Sequence, residues 1–135
     1  MEDWQYALLK KPKKSKYKAK KVVLDKKTFD SKAESKEWLE LCQRQKNGEI
    51  GNLYRQYSFI LIPTRKYGTE TVRGCKYIAD FFYEDKDLGW VAQDTKGFPT
   101  ETYVVKKKLF LEKYVATGQV VFIESGKEKK IYKKN

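Results

Sequence analysis

The 135 residues suffice for one domain with a core of its own, and 40% hydrophobic with 15% aromatic residues place the chain among folded proteins despite 36% charge. Histidine is absent, which excludes Ser-His and Cys-His triads, histidine general bases and histidine-ligated zinc; a bound metal would be a hard cation on carboxylates, magnesium or manganese. The net charge of +12 is uneven, with +6 on residues 1–21, +4 on residues 126–135 and +2 between them, a distribution that points to basic arms and a polyanionic partner, or to tails that merely keep the chain in solution.

In chain order, residues 1–16 form a basic N-terminal arm, and residues 17–125 a single folded domain. Within the domain, K-A-K-K-V-V-L, a turn at Asp25-Lys26 and K-T-F predict a hairpin that opens with Lys18, Lys20 and Lys21. Ser31 and Glu34 make an S-x-x-E capping box for a helix that runs to about Lys46 and stops at Asn47-Gly48, with Trp38, Leu41, Cys42 and Gln45 as its inward stripe. A strand follows from Gln56 to Ile62, then a polar loop T-R-K-Y-G-T-E, a strand over Lys76–Tyr83, a turn ending at Gly89, and a strand from Trp90 to Lys96. Pro99 suits the first turn of a helix reaching about Tyr114, with Tyr103, Phe110 and Tyr114 on one side. The last apolar strand covers residues 119–124, and residues 126–135 read as a basic C-terminal tail. The order β-β-α-β-β-β-α-β predicts an α/β (α+β) fold, a mixed central sheet flanked by helices. Cys42 and Cys75 have no disulfide or metal spacing and read as small thiols of a reducing cytoplasm. No apolar run nears the roughly 18 residues that span a bilayer, and the N-terminus lacks the order of a secretory signal, so the expectation is a cytoplasmic protein without a membrane partner.

The chemistry-bearing residues lie on the paired strands. Asp80 sits inside the apolar run I-A-D-F-F-Y, where an acid is costly without a partner. Asp94 and Lys96 are two apart on the next strand and share a face. Two carboxylates on adjoining strands repel unless a cation or proton intervenes, and a lysine beside them can orient or deprotonate a water. The bland alternative is a structural Asp–Lys ion pair. Glu34 has a local role as the capping-box acid, yet also faces the sheet one turn before Trp38, where it would serve as a third metal ligand; the two roles are compatible.

The succession F-D-S-K-A-E (29–34), Y-I-A-D-F (77–81) and V-A-Q-D-T-K-G (91–97) resembles the PD-(D/E)XK nuclease superfamily. It is more closely similar to a family of small basic phage and prophage proteins of uncharacterised function with F-x-S-x-x-E, Y-x-A-D-F and D-x-K-G-F before a lysine-rich helix, and to phage junction-resolving endonucleases. The resemblance spans residues 17–124. It implies a restriction-endonuclease-like core, a homodimer, and Mg²⁺- or Mn²⁺-dependent hydrolysis of DNA, double-stranded or branched, in a bacterial host's cytoplasm. By that resemblance Glu34, Asp80, Asp94 and Lys96 are catalytic, with Asp80, Asp94 and Glu34 on the metal and Lys96 positioning the attacking water. Ala79 stands in place of the motif's proline, and Asp94 is the shorter of the two acids the motif allows. Lys106, Lys107 and Lys108, with Lys18, Lys20 and Lys21, are candidate contacts to the DNA backbone, or else solvated surface. The alternative to catalysis is a basic nucleic-acid-binding module whose acids are structural.

Overall fold

A computed structural model of the chain describes residues 22–24, 27–29, 32–95, 99–126 and 128–135. Lys18, Lys20, Lys21, Ser31 and Lys96 lie outside the described residues. The elements in chain order are β1 (Val22–Leu24), β2 (Lys27–Phe29), α1 (Lys32–Lys46), β3 (Ile50–Ile62), β4 (Arg65–Tyr67), β5 (Glu70–Val72), β6 (Cys75–Asp85), β7 (Gly89–Thr95), α2 (Glu101–Phe110), β8 (Val121–Ser125) and β9 (Lys130–Tyr132). α2 runs on into a π-helical turn over Leu111–Val115. The central sheet has the order β3-β6-β7-β8-β9. All its neighbours are antiparallel except β7 and β8, whose parallel pairing requires the crossover that α2 supplies. The expected mixed sheet flanked by helices is therefore the observed one.

Each face of the sheet carries its own core. On the α1 face, Trp38 and Leu41 pack with Ile50, Phe81, Tyr83, Val91 and Ile123. On the α2 face, Phe110 and Tyr114 pack with Tyr57, Phe59, Phe82 and Phe122. Aromatic contacts dominate this second core, with Tyr57 and Phe82 stacked at 4.2 Å and Phe59 edge-on to Phe110 at 4.9 Å. Burial on both faces explains why β6 reads as a nearly continuous apolar run instead of an alternation.

β3 and β6 change faces together. Tyr77 and Ala79 belong to the α2 core, but so does Phe82, while Phe81 faces α1. On β3, Tyr57 faces α2, whereas Arg55 reaches Glu34 of α1. Between them Gln56 takes a left-handed φ of 49°, rare for a residue with a side chain. The pairing Arg55↔Phe81 and Tyr57↔Ala79 brackets this irregularity, so Gln56 and Asp80 stand opposite each other at the level where the strands switch. A second left-handed residue, Asn52, and a register shift between Ile60 and Ile62 break β3 further. At that shift the Ile60 carbonyl accepts from Tyr114 Oη at 2.6 Å and Lys113 Nζ at 3.0 Å, pinning the strand to the π-helical turn.

Three sequence expectations are corrected. The segment read as a polar loop folds as the hairpin β4–β5, turning at Gly68 with φ +64°. The C-terminal segment, expected as a basic tail beyond the domain, supplies the edge strand β9, paired antiparallel to β8. Pro99 precedes the helix instead of entering it: Thr100 is the N-cap, its Oγ1 accepting from the Tyr103 N–H at 3.1 Å. In α1, Trp38 and Leu41 are buried as expected, Cys42 is half-buried, and Gln45 is exposed, its Oε1 accepting from the Leu53 N–H at 3.3 Å. Cys75 is likewise a half-buried thiol. Among the described residues no helix is long and apolar enough to cross a membrane.

Candidate active site

The β6–β7 ladder ends at the pair Phe81↔Gln93, one residue short of Asp80 and Asp94. There the Asp80 carboxylate takes over from the backbone: its Oδ2 accepts the Thr95 N–H at 2.8 Å. An acid in an apolar strand is thus satisfied by the peptide that joins Asp94 to Thr95, and Asp80 stays half-buried.

Asp94 is wholly buried on the α2 face, and its Oδ2 accepts a short hydrogen bond from the Tyr77 hydroxyl. Burial raises the Tyr77 pKa well above the usual tyrosine value, and the charge of Asp94, its hydrogen bond and the more distant charge of Asp80 push the same way, so Tyr77 remains a proton donor to Asp94. Ser125 Oγ donates to the Asp94 carbonyl at 3.3 Å from the parallel neighbour β8.

Thr95 points to the opposite face, where its hydroxyl donates a short hydrogen bond to Glu37 of α1. Glu37, one turn beyond Glu34, is the helix acid that reaches the D-x-K strand. Glu34 is buried instead against Arg55, with Oε1 3.9 Å from the guanidinium. Asp80, midway along β6, and Asp94, near the end of β7, thus stand on adjacent strands just past the end of their shared ladder, while Glu34 sits beside Arg55. Among the described residues, no group of three or more acids or cysteines converges as a metal cluster.

Next to Asp94, on β8, Glu124 anchors a second polar network. Tyr103 Oη donates to Glu124 Oε2 at 2.5 Å, and Lys107 Nζ donates to Glu124 Oε1 at 3.1 Å and to Tyr132 Oη at 2.8 Å. Lys107 therefore folds inward onto β8 and β9, while Lys108 is exposed and Lys106 half-buried. Burial raises the Tyr103 pKa, and Glu124 adds to the shift. For Glu124 itself burial works toward a higher pKa, but the bonds from Tyr103 and Lys107 outweigh it and hold the carboxyl below its usual range. Asp85 behaves alike: against burial, its bond from the Asp87 N–H, then Arg44 at 2.7 Å, keep it low.

The family model of DUF1064, described as a protein of unknown function, matches residues 14–130. The chain belongs to the DUF1064 family. No curated protein matches it, and no solved structure does. The DUF1064 match takes in both helices, the central sheet up to the first residue of β9, and every acid named above.

Glu124 and Asp85 set the acid limit of this fold. A carboxyl whose folded pKa is depressed contributes stability that is complete above its unfolded value and is lost as pH falls through the folded one. The melting temperature is therefore expected to fall as pH drops below about 4.5, the ordinary carboxylate range, and Glu124→Gln should flatten part of that slope. A melting temperature level from about pH 6 down to about pH 3 would contradict the assignment.

Proposed function

We propose that this DUF1064 protein is a metal-dependent endonuclease that hydrolyses DNA phosphodiester bonds at Asp80 and Asp94. The observation that carries the reading is the Asp80 carboxylate seated on the Asp94–Thr95 peptide, which sets two acids of adjacent strands just past the end of the β6–β7 ladder. The order of the motifs around Glu34, Asp80 and Asp94-x-Lys96, shared with PD-(D/E)XK nucleases, supports it, as does a net charge of +12 for a polyanionic substrate.

The donor set suits magnesium. That ion is commonly held by one or two carboxylates, with waters and substrate phosphates completing its shell. Asp80 and Asp94 are such a pair, and each is oriented by a hydrogen bond of its own, from the Thr95 N–H and the Tyr77 hydroxyl, as metal-binding carboxylates generally are. Glu34, set against Arg55, is outside that pair. When bound, the ion would polarise the scissile phosphate and lower the pKa of a water. The protein's own residues fix the geometry: Tyr77 holds Asp94, while Glu37 holds the Thr95 hydroxyl and with it the backbone leading to Lys96. The motif gives Lys96 the task of positioning the attacking water.

The test is incubation with four-way-junction and linear duplex DNA in Mg²⁺, Mn²⁺ or EDTA. Cleavage is expected with either metal, none in EDTA, and none by Asp80→Ala despite retained binding. The charge that favours a nucleic-acid partner equally suits a non-catalytic binding module, and binding without cutting of any substrate in either metal would select that module.

A further inference from the structure

A cleft of about 540 Å³ lies between α2 and the β8–β9 edge, and Glu124, which lines it, is the register partner of Asp94. Its lining includes the aliphatic Val104 and Leu111 and the lysines Lys108 and Lys130. Ser125, which bonds the Asp94 carbonyl, lines the same cleft and ties it to the strand that carries Asp94. Two acids also line it, but Glu124 is neutralised by Lys107, leaving Glu128 against two lysines. The network of Tyr103, Glu124, Lys107 and Tyr132 ties α2 to β8 and β9 and makes the cleft a pre-formed one.

We infer that this cleft takes an unpaired nucleotide of a single DNA strand, next to the phosphodiester presented to Asp80 and Asp94; the inference rests on the nuclease reading of that pair. The cleft falls within the size range of small-ligand sites, from about 300 to 1,000 Å³, whereas a duplex is far too wide to enter it. Lysines beside aliphatic side chains match a nucleotide's two halves, phosphate and base, and contacts to phosphate carry no sequence information. A nuclease with such a subsite acts where a strand is already unpaired, at a branch or an end.

The experiment reads binding of a fluorescently labelled pentathymidylate by anisotropy in EDTA, where nothing is cut. Lys108→Glu with Lys130→Glu reverses the charge, and Val104→Trp fills the cleft without altering charge. Arg65→Glu with Lys66→Glu, on the exposed β4–β5 hairpin, controls for the same change in net charge. Both cleft variants are expected to weaken binding roughly tenfold, and the hairpin control about twofold or less. Asp80→Ala should bind as the native chain does. No pentamer binding by the native chain, or cleft variants that bind as it does, overturns the inference even if DNA is cut in Mg²⁺. Cleft variants that lose the pentamer, in a chain that cuts nothing, uphold the strand site while the nuclease reading falls.

Discussion

Asp80→Ala is expected to lower Mg²⁺-dependent cleavage by about 10³-fold while costing about 1 kcal/mol of stability. Asp80 is half-buried and makes one backbone hydrogen bond, to Thr95, so its loss is mild for folding but removes one of two carboxylates from the proposed metal pair. Asp94→Ala should reduce cleavage to a similar degree and also cost about 3 kcal/mol, because it opens a cavity in a fully buried position and strands the Tyr77 hydroxyl. Tyr77→Phe separates the roles: with both acids kept but one left unoriented, cleavage should drop about 10- to 100-fold. Single-turnover cleavage and thermal unfolding on the same preparations measure both quantities. Asp80→Ala cutting at the native rate would remove the pair from the chemistry.

Gly74→Ala is expected to be the most damaging small substitution, on the order of 3 kcal/mol. A Cβ built there would lie 1.9 Å from the Ile62 carbonyl oxygen and 2.6 Å from the Pro63 carbonyl carbon. Both are backbone atoms, so no rotamer change can relieve the clash. Gly74 closes the excursion in which the β4–β5 hairpin leaves β3 and returns to β6, and its N–H donates to Thr64 Oγ1 at 3.1 Å. The melting temperature should fall by about 10 °C, with the acid pair untouched in the fraction that folds. A change within about 1 °C would show that the two strands can separate here at little cost.

What the sequence disclosed, and what it withheld, divides along physical lines. The α1 stripe of Trp38 and Leu41 follows helical periodicity and β6 a dense apolar run, so both were legible. β3 begins at Ile50 but was expected only from Gln56, because its first half is polar and broken at Asn52. β9 escaped because Lys130–Tyr132 is three residues long among lysines, and pairing with β8 alone makes it a strand. The hairpin at Gly68 did leave a signal, a glycine between short runs of Arg-Lys-Tyr and Glu-Thr-Val, too brief to weigh against its charge. In the site, Asp80 and Asp94 were legible as acids on neighbouring strands. The face change at Gln56 was not, since nothing in a glutamine announces a left-handed φ. Glu34 shares the inward stripe of α1, yet Glu37 bonds Thr95, because the register of β7 against α1 is a tertiary fact. Tyr77 read as core by spacing, and it is; its hydroxyl role depends on Asp94 lying on the same face of the neighbouring strand.

The interruptions of β3 have a consequence for the chain in crowded solution. A thirteen-residue strand with one neighbour among the described residues offers a long open row of amides and carbonyls, the template on which another copy's strand would add. Left-handed residues at Asn52 and Gln56 and the shift beyond Ile60 cut that row into pieces of a few residues. Tyr114 and Lys113 meanwhile occupy the Ile60 carbonyl. The same irregularity that sets Gln56 opposite Asp80 thus guards the sheet's border against runaway stacking.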